Sequence, residues 1–163
     1  MNKVEIKEIR ISELLKEKYI DLGLKEKDKP SLIAGLVDLI NKSGNLKSKK
    51  AFLDAVLERE KLGSTGIGGG IAIPHAKSQG VSDFILAFAR QDCGINFGSL
   101  DGEKTFLFFI VASPESDVGG HLKVLSAISR LVKDRATVEL LKKAKDKKAV
   151  LKIISDMENC VMR

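Results

Sequence analysis

From residue 30 the apolar positions follow a helical period. Pro30 and Ser31 open a stretch in which Leu32, Ile33, Leu36, Val37, Leu39 and Ile40 recur on one face, and residues 42–45 (KSGN) stop it. The same period returns over residues 48–63, with Phe52, Leu53, Val56 and Leu57 inward and Gly63 near the C-cap position. Upstream, Ser12 is a candidate cap for a first helix over residues 13–20, followed by a short extended piece at 21–24. Beyond residue 63 the pattern changes to short apolar runs. Residues 71–73 form a brief strand after a glycine-rich loop, and residues 84–91 form a second. The run TFLFFIVAS (105–113) reads as a central strand buried on both faces. Turn signals fill residues 92–105, with room for a small strand, and residues 114–120 (PESDVGG) read as a loop. The helical period then resumes: Leu122, Leu125, Ile128 and Val132 line one face of residues 121–134, and two more helices cover 136–146 and 147–159.

No Pro/Ser/Gly-rich linker and no internal repeat divides this series. One domain over residues 1–163 is expected, of α/β class on the α+β border, with helices around one small sheet. At 44% hydrophobic and 31% charged residues the composition is that of a globular chain rather than a disordered one. The N-terminus has no apolar signal-peptide core, and no apolar run approaches the ~20 residues of a membrane helix. A cytoplasmic protein without membrane insertion is therefore expected. Cys93 and Cys160 stand alone, so neither a disulfide framework nor a zinc knuckle is indicated. The net charge of +6 is largely lysine, concentrated in residues 142–152. That segment lacks the arginines and aromatics of a nucleic-acid surface, so it reads as a solvated helix face and no nucleic-acid partner is expected.

The chemistry concentrates in residues 62–78, LGSTGIGGGIAIPHAKS, which contain His75, one of only two histidines. A phosphate-binding Walker loop fails because Ala76 and Ile71 stand where glycines belong. A dinucleotide fingerprint fails at Ile71 and has the wrong order, helix before loop and strand after. His75 and His121 are too far apart in sequence for a helical zinc pair, and Ser64 lacks a nucleophile elbow. No metal and no organic cofactor is expected. Two readings of His75 remain. As a nucleophile, neutral imidazole attacks near pH 7, and nearby glycines present backbone N–H groups to an anion while leaving a flat surface for a protein partner. Pro74 stiffens the chain and keeps Ile73 extended, so that the imidazole stands exposed at a strand end. Alternatively, a glycine turn packs against a helix and His75 is simply hydrogen-bonded in place.

The longer string EREKLGSTGIGGGIAIPHAKS, continued by INFGSLDGEKTFLFFIVASPES and GGHLKVLSAISRLVKD, resembles the fructose/mannitol-type IIA domains of the bacterial phosphoenolpyruvate-dependent sugar phosphotransferase system, a group that includes the nitrogen-regulatory IIA proteins. The resemblance covers most of residues 10–155. It implies the mannitol-type IIA fold, a mixed sheet of about five strands flanked by helices. It implies that His75 accepts a phosphoryl group on Nε2 from phospho-HPr and passes it to a IIB domain. The family's second active-site histidine falls on His121, opening the helix after residue 120, where helix N–H groups favour an anion. The family's arginine falls on Arg59, whose planar fork suits phosphoryl oxygens. Ser64, Thr65, Gly68 and Gly70 fall in the supporting loop. Many members carry asparagine where this chain has Gly69, and glycine where it has Ala76. A stand-alone IIA component is expected for either sugar transport or nitrogen-type regulation. A binding domain without phosphoryl transfer is a third possibility, disfavoured by the joint presence of His75, Arg59 and His121.

Overall fold

The computed structural model describes residues 8–161; residues 1–7 and 162–163 of the expected 1–163 domain lie outside them. The two best-patterned helices form as read. Helix α2 (Lys29–Asn41) starts with Pro30 in its first turn and is capped by Asp28, whose carboxylate accepts from the Ser31 N–H at 2.9 Å. All six of its periodic apolar residues are buried. Helix α3 (Lys49–Lys61) is capped by Ser48, with Phe52 and Val56 buried and Leu53 and Leu57 packed at the core edge.

The first helix does not form as read. Only the single turn α1 (Ile11–Leu14) is helical, and Ser12 does not cap it. Its leading amides are held instead by Glu158, whose carboxylate accepts from Ile11 N–H at 2.6 Å and Ser12 N–H at 3.0 Å. From Leu15 the chain becomes strand β1 (Leu15–Asp21), parallel to β5 (Ile85–Ile95), with Ile20 opposite Phe88. Tertiary pairing along a sheet edge overrides a local preference here, as it commonly does for strands.

The glycine-rich segment supplies three short strands: β2 (Gly66–Gly68), β3 (Ile71–Ala72) and β4 (His75–Ser78). The apolar run becomes β6 (Thr105–Pro114), antiparallel to β5 and parallel to both β3 and β4. Ile71 faces Leu107 and His75 faces Val111, an unchanged offset, so β3 and β4 are one strand interrupted at Ile73-Pro74. The sheet thus has five positions across, in the order β1, β5, β6, then β3 with β4, then β2. Strand β6 lies at its centre, as the doubly apolar run requires, and its residues from Leu107 to Ser113 are all buried. The expected small strand in residues 92–105 is instead the far end of β5, which continues to Ile95.

Three helices follow: α4 (Val118–Val132), α5 (Arg135–Lys143) and α6 (Lys147–Val161). Two details of α4 differ from the reading. It begins at Val118, inside the expected loop, because Asp117 caps it by accepting from the Gly120 N–H at 2.9 Å. Its buried face is His121, Val124, Ala127, Ile128, Leu131 and Val132, so Leu122 is 60% exposed and Leu125 only half-buried. The stripe is rotated because His121, a polar residue, takes a place on the inward face. None of the described helices is long and apolar enough to cross a membrane.

Phe88 on β5 and Phe109 on β6 are opposite each other, both fully buried, with ring centroids 4.9 Å apart. Phe88→Ala leaves a cavity at the middle of the sheet. It is expected to cost about 3–5 kcal/mol of unfolding free energy in urea titration; a loss below ~1 kcal/mol would contradict this placement of the core.

Candidate functional site

The site lies where β4, the end of β6 and the first turn of α4 meet. His75 opens β4 and is half-buried; it does not stand exposed at a strand end. Its Nδ1 lies 2.7 Å from the carbonyl oxygen of Ile73. A carbonyl only accepts, so Nδ1 carries the proton and donates it, and Nε2 keeps a free lone pair. Pro74 makes the turn possible: it has no N–H to lose, and its carbonyl still accepts from the Val111 N–H at 3.0 Å, which keeps the strand on β6.

His121 meets this ring from α4. The two imidazole centroids are 5.3 Å apart with planes tilted by 54°. His121 is buried, and its Nδ1 is 2.7 Å from the hydroxyl of Ser113 on β6. Its place differs from the expected helix start. It sits one turn in, and its own N–H donates to the Asp117 carbonyl at 3.1 Å. The helix N-terminus carries the Asp117 carboxylate rather than an open anion site.

Arg59 lies in the last turn of α3, half-buried, and its Nη1 donates to the Gly63 carbonyl at 2.9 Å. Its positive charge is close enough to act on His75. Lys77 is two residues beyond His75, so the two side chains share one face of β4, and its charge acts on His121. Two cations therefore flank the imidazole pair.

The supporting loop spends the amides of Gly66, Gly68 and Gly69 on partners within the protein. Gly68, Gly69 and Gly70 all have positive φ (91°, 65° and 84°), which folds the β2–β3 turn onto residues 98–101. There the Gly68 N–H donates to the Ser99 hydroxyl and the Gly69 N–H to the Asp101 carboxylate, each at 2.9 Å. The Gly66 N–H donates to the Ser64 hydroxyl, which itself donates to the Phe97 carbonyl. Gly70 acts through its carbonyl, which accepts from the N–H groups of Phe106 and Leu107. Gly68 and Gly69 also line a groove with Ile71, Val132 and Val138. Thr65 is buried, and its backbone N–H and hydroxyl both donate to Glu60.

The reading from sequence missed Glu60, Ser113 and Lys77. Lys77 was the legible one, since strand alternation carried past Pro74 puts it on the His75 face. Ser113, at the end of an apolar run, gives no local sign of the helix that will cover it.

Desolvation holds both imidazoles below their ordinary pKa. For His75, burial acts first and the Arg59 charge adds to it, while the bond to Ile73 and the Glu60 charge oppose it. His121 is pushed down to about 4 by burial first, then by the charges of His75 and Lys77. Both rings are held neutral near pH 7, which leaves Nε2 of His75 with a free lone pair.

The mixed sheet thus carries a pair of histidines, His75 at the start of β4 and His121 on α4 against the end of β6, with cations nearby. The chain matches the family of phosphoenolpyruvate-dependent sugar phosphotransferase system EIIA 2 over residues 13–157, and it belongs to that family. It is 38% identical over 129 residues to the fructose-specific EIIA component of Haloferax volcanii, covering 79% of this chain and 84% of that protein. It is 37% identical over 147 residues to the fructose-specific EIIABC component of Bacillus subtilis, covering 90% of this chain but only 23% of the longer protein's length. The crystal structure of the nitrogen regulatory protein IIA-Ntr from Neisseria meningitidis superposes with a TM-score of 0.81 at 32% identity, covering 88% of this chain and 98% of that one. The protein is thus a IIA component of the fructose-type or nitrogen-regulatory branch, a transferase component in the broad sense.

The histidine shifts make a test. In an NMR titration His121 should stay neutral at pH 5 with a midpoint of about 4, and His75 should titrate below the free-histidine range. In the unfolded chain both revert to ordinary values of about 6.5. Between about pH 6.5 and 4 the unfolded chain therefore takes up protons that the folded chain refuses, so stability falls with pH across that window. A His121 ring already charged at pH 6 would contradict its burial against Ser113.

Proposed function

We propose that this protein is a phosphocarrier of the sugar phosphotransferase system, with His75 accepting a phosphoryl group on Nε2 from phospho-HPr and passing it to a IIB domain in uptake of a fructose/mannitol-class sugar. The observation that carries this reading is the fixed tautomer of His75. Nδ1–H is committed to the Ile73 carbonyl, so the unprotonated nitrogen is the one left free beside His121. Transfer then needs no proton removed from the nucleophile. The donor's bond to phosphorus breaks as the Nε2–P bond forms, and the ring gains positive character that the Ile73 carbonyl stabilises. The second transfer reverses this, with the IIB nucleophile taking the phosphorus and the lone pair returning to Nε2.

Phosphoryl transfer depends on positioning and positive potential more than on acid–base chemistry. Arg59 supplies a planar donor set for the equatorial oxygens. His121 supplies a hydrogen bond: when the Ser113 hydroxyl donates to its Nδ1, its Nε2 carries the proton and donates. The cytoplasm, where both partners would be met, is the compartment this reading requires.

The likeness to a nitrogen regulatory IIA favours a second reading. There the same phosphorylated His75 adds about −1.5 to −2 of charge to the surface, which changes docking to a regulatory target instead of supplying a IIB domain.

Intact mass after incubation with phosphoenolpyruvate, enzyme I and HPr should show one acid-labile phosphate on the wild-type protein and none on His75→Ala. Phosphate on a folded His75→Ala protein would overturn the assignment. Arg59→Ala should slow transfer by about 10²-fold, the scale of losing one positioned transition-state donor, and His121→Ala should slow it without abolishing it. Rapid-quench rates indistinguishable from wild type would return either residue to a structural role.

A further inference from the structure

A half-buried ion pair is linked to His75 through hydrogen bonds of Thr65 and Ile73. Glu60, the last acidic residue of α3, has a side chain only 6% exposed. Its carboxylate meets Lys29 Nζ, from the first turn of α2, at 2.7 Å. Lys29 also donates to the Phe97 carbonyl at 3.1 Å and stands 4.4 Å from the centroid of the Phe97 ring. The same carboxylate accepts from the Thr65 backbone N–H, at 3.3 Å to each oxygen, and from the Thr65 hydroxyl. Thr65 is thereby held at both its main chain and its side chain. Its carbonyl accepts from the Ile73 N–H at 3.0 Å, and the Ile73 carbonyl accepts from Nδ1 of His75 at 2.7 Å.

We propose that Glu60, braced by Lys29, is a positioning residue for His75: it fixes Thr65 by its N–H and hydroxyl, the Thr65 carbonyl holds Ile73, and the Ile73 carbonyl selects the imidazole tautomer with a free Nε2. This rests on the reading of His75 as the phosphoryl acceptor. A charged group with so little exposure costs desolvation and persists only when fully paired. Here the carboxylate has a cation, a backbone N–H and a hydroxyl as partners. The N–H and carbonyl of one residue belong to different peptide groups, so the link to His75 is positional: Thr65 is held in place, and its carbonyl in turn holds the Ile73 N–H. Glu60 is also close enough for its charge to favour a protonated His75, opposing Arg59. The pair thus sets both the geometry and the proton affinity of the ring, without touching the phosphoryl group.

The test is Glu60→Gln, which keeps shape and loses charge, read out by histidine nitrogen chemical shifts at pH 8 and by rapid-quench phosphorylation from phospho-HPr. The expected result is a His75 tautomer population shifted toward Nε2–H and a titration midpoint lower than wild type. The maximal rate of transfer should fall about tenfold at unchanged KM for the donor, short of the hundredfold that a 1 Å misplacement can cost. Thr65→Val serves if Glu60→Gln fails to fold, because it removes the hydroxyl arm and leaves the ion pair intact; the same tautomer shift is expected, smaller. An unmoved tautomer and an unmoved rate in either folded variant would overturn the proposal. The tautomer shift needs no phosphoryl donor, so a wild-type protein that is never phosphorylated would sink the functional reading separately.

Discussion

The site depends on a strand that contains a proline and yet does not lose register. A proline inside a strand removes a ladder bond, and such positions are usually edges or bulges. Here Ile71 and His75 keep the same offset against β6 on either side of Pro74, and the Pro74 carbonyl still reaches Val111. The interruption lets the His75 ring bond back to Ile73 while its backbone is held by the central strand. That strand also carries Ser113 and leads directly into α4, so β6 positions both histidines: His75 by pairing and His121 through Ser113. The five-position sheet and its buried aromatic pair are the rigid support for a spacing of 5.3 Å between two rings.

Electrostatics follow from that spacing. Two imidazoles this close, one of them buried, are poor hosts for a proton, and Arg59 and Lys77 add positive potential from outside. The neutral pair surrounded by cations is a site that gains from an added anion. The anionic groups nearby are directed elsewhere: Asp117 to its helix cap, Asp101 to the Gly69 amide, Glu60 to Lys29 and Thr65. The backbone donors of Gly69 and Glu103 hold the Asp101 carboxyl below its ordinary value, as expected for a carboxylate used as a loop clasp.

Legibility in the sequence tracked how local each signal was. Helices α2 and α3 were readable because cap, period and stop agree within one segment, and β6 because the seven-residue apolar run 106–112 has few alternatives. The opening turn was misread because its cap is Glu158, nearly 150 residues away in the chain, and because β1 is made by pairing with β5. The α4 stripe was misread by the same cause that makes the site: a histidine occupies an apolar position. His75 and His121 were singled out through family resemblance, since a glycine turn with one histidine fits a packed loop equally well. Nothing local pointed to Ser113 or to the Lys29–Glu60 pair, because each matters only through a partner on another element.

The glycine loop shows where the spacing argument and the structure part. Glycines beside a histidine suggest amides aimed at phosphate. In the fold those amides are consumed by Ser64, Ser99 and Asp101, and the positive φ angles serve to turn the chain back onto that neighbouring loop. With the amides of Gly66, Gly68 and Gly69 already bonded, the stabilisation of an anion is left largely to side chains. In the proposed transfer, charge neutralisation at His75 would fall to Arg59, Lys77 and His121 and to the donors of the docked protein. Under the proposed phosphocarrier role, a site built this way need not bind phosphate tightly. It has to hold the group long enough to meet the next nucleophile, and a site with few committed backbone donors releases it more readily than a closed phosphate cradle would.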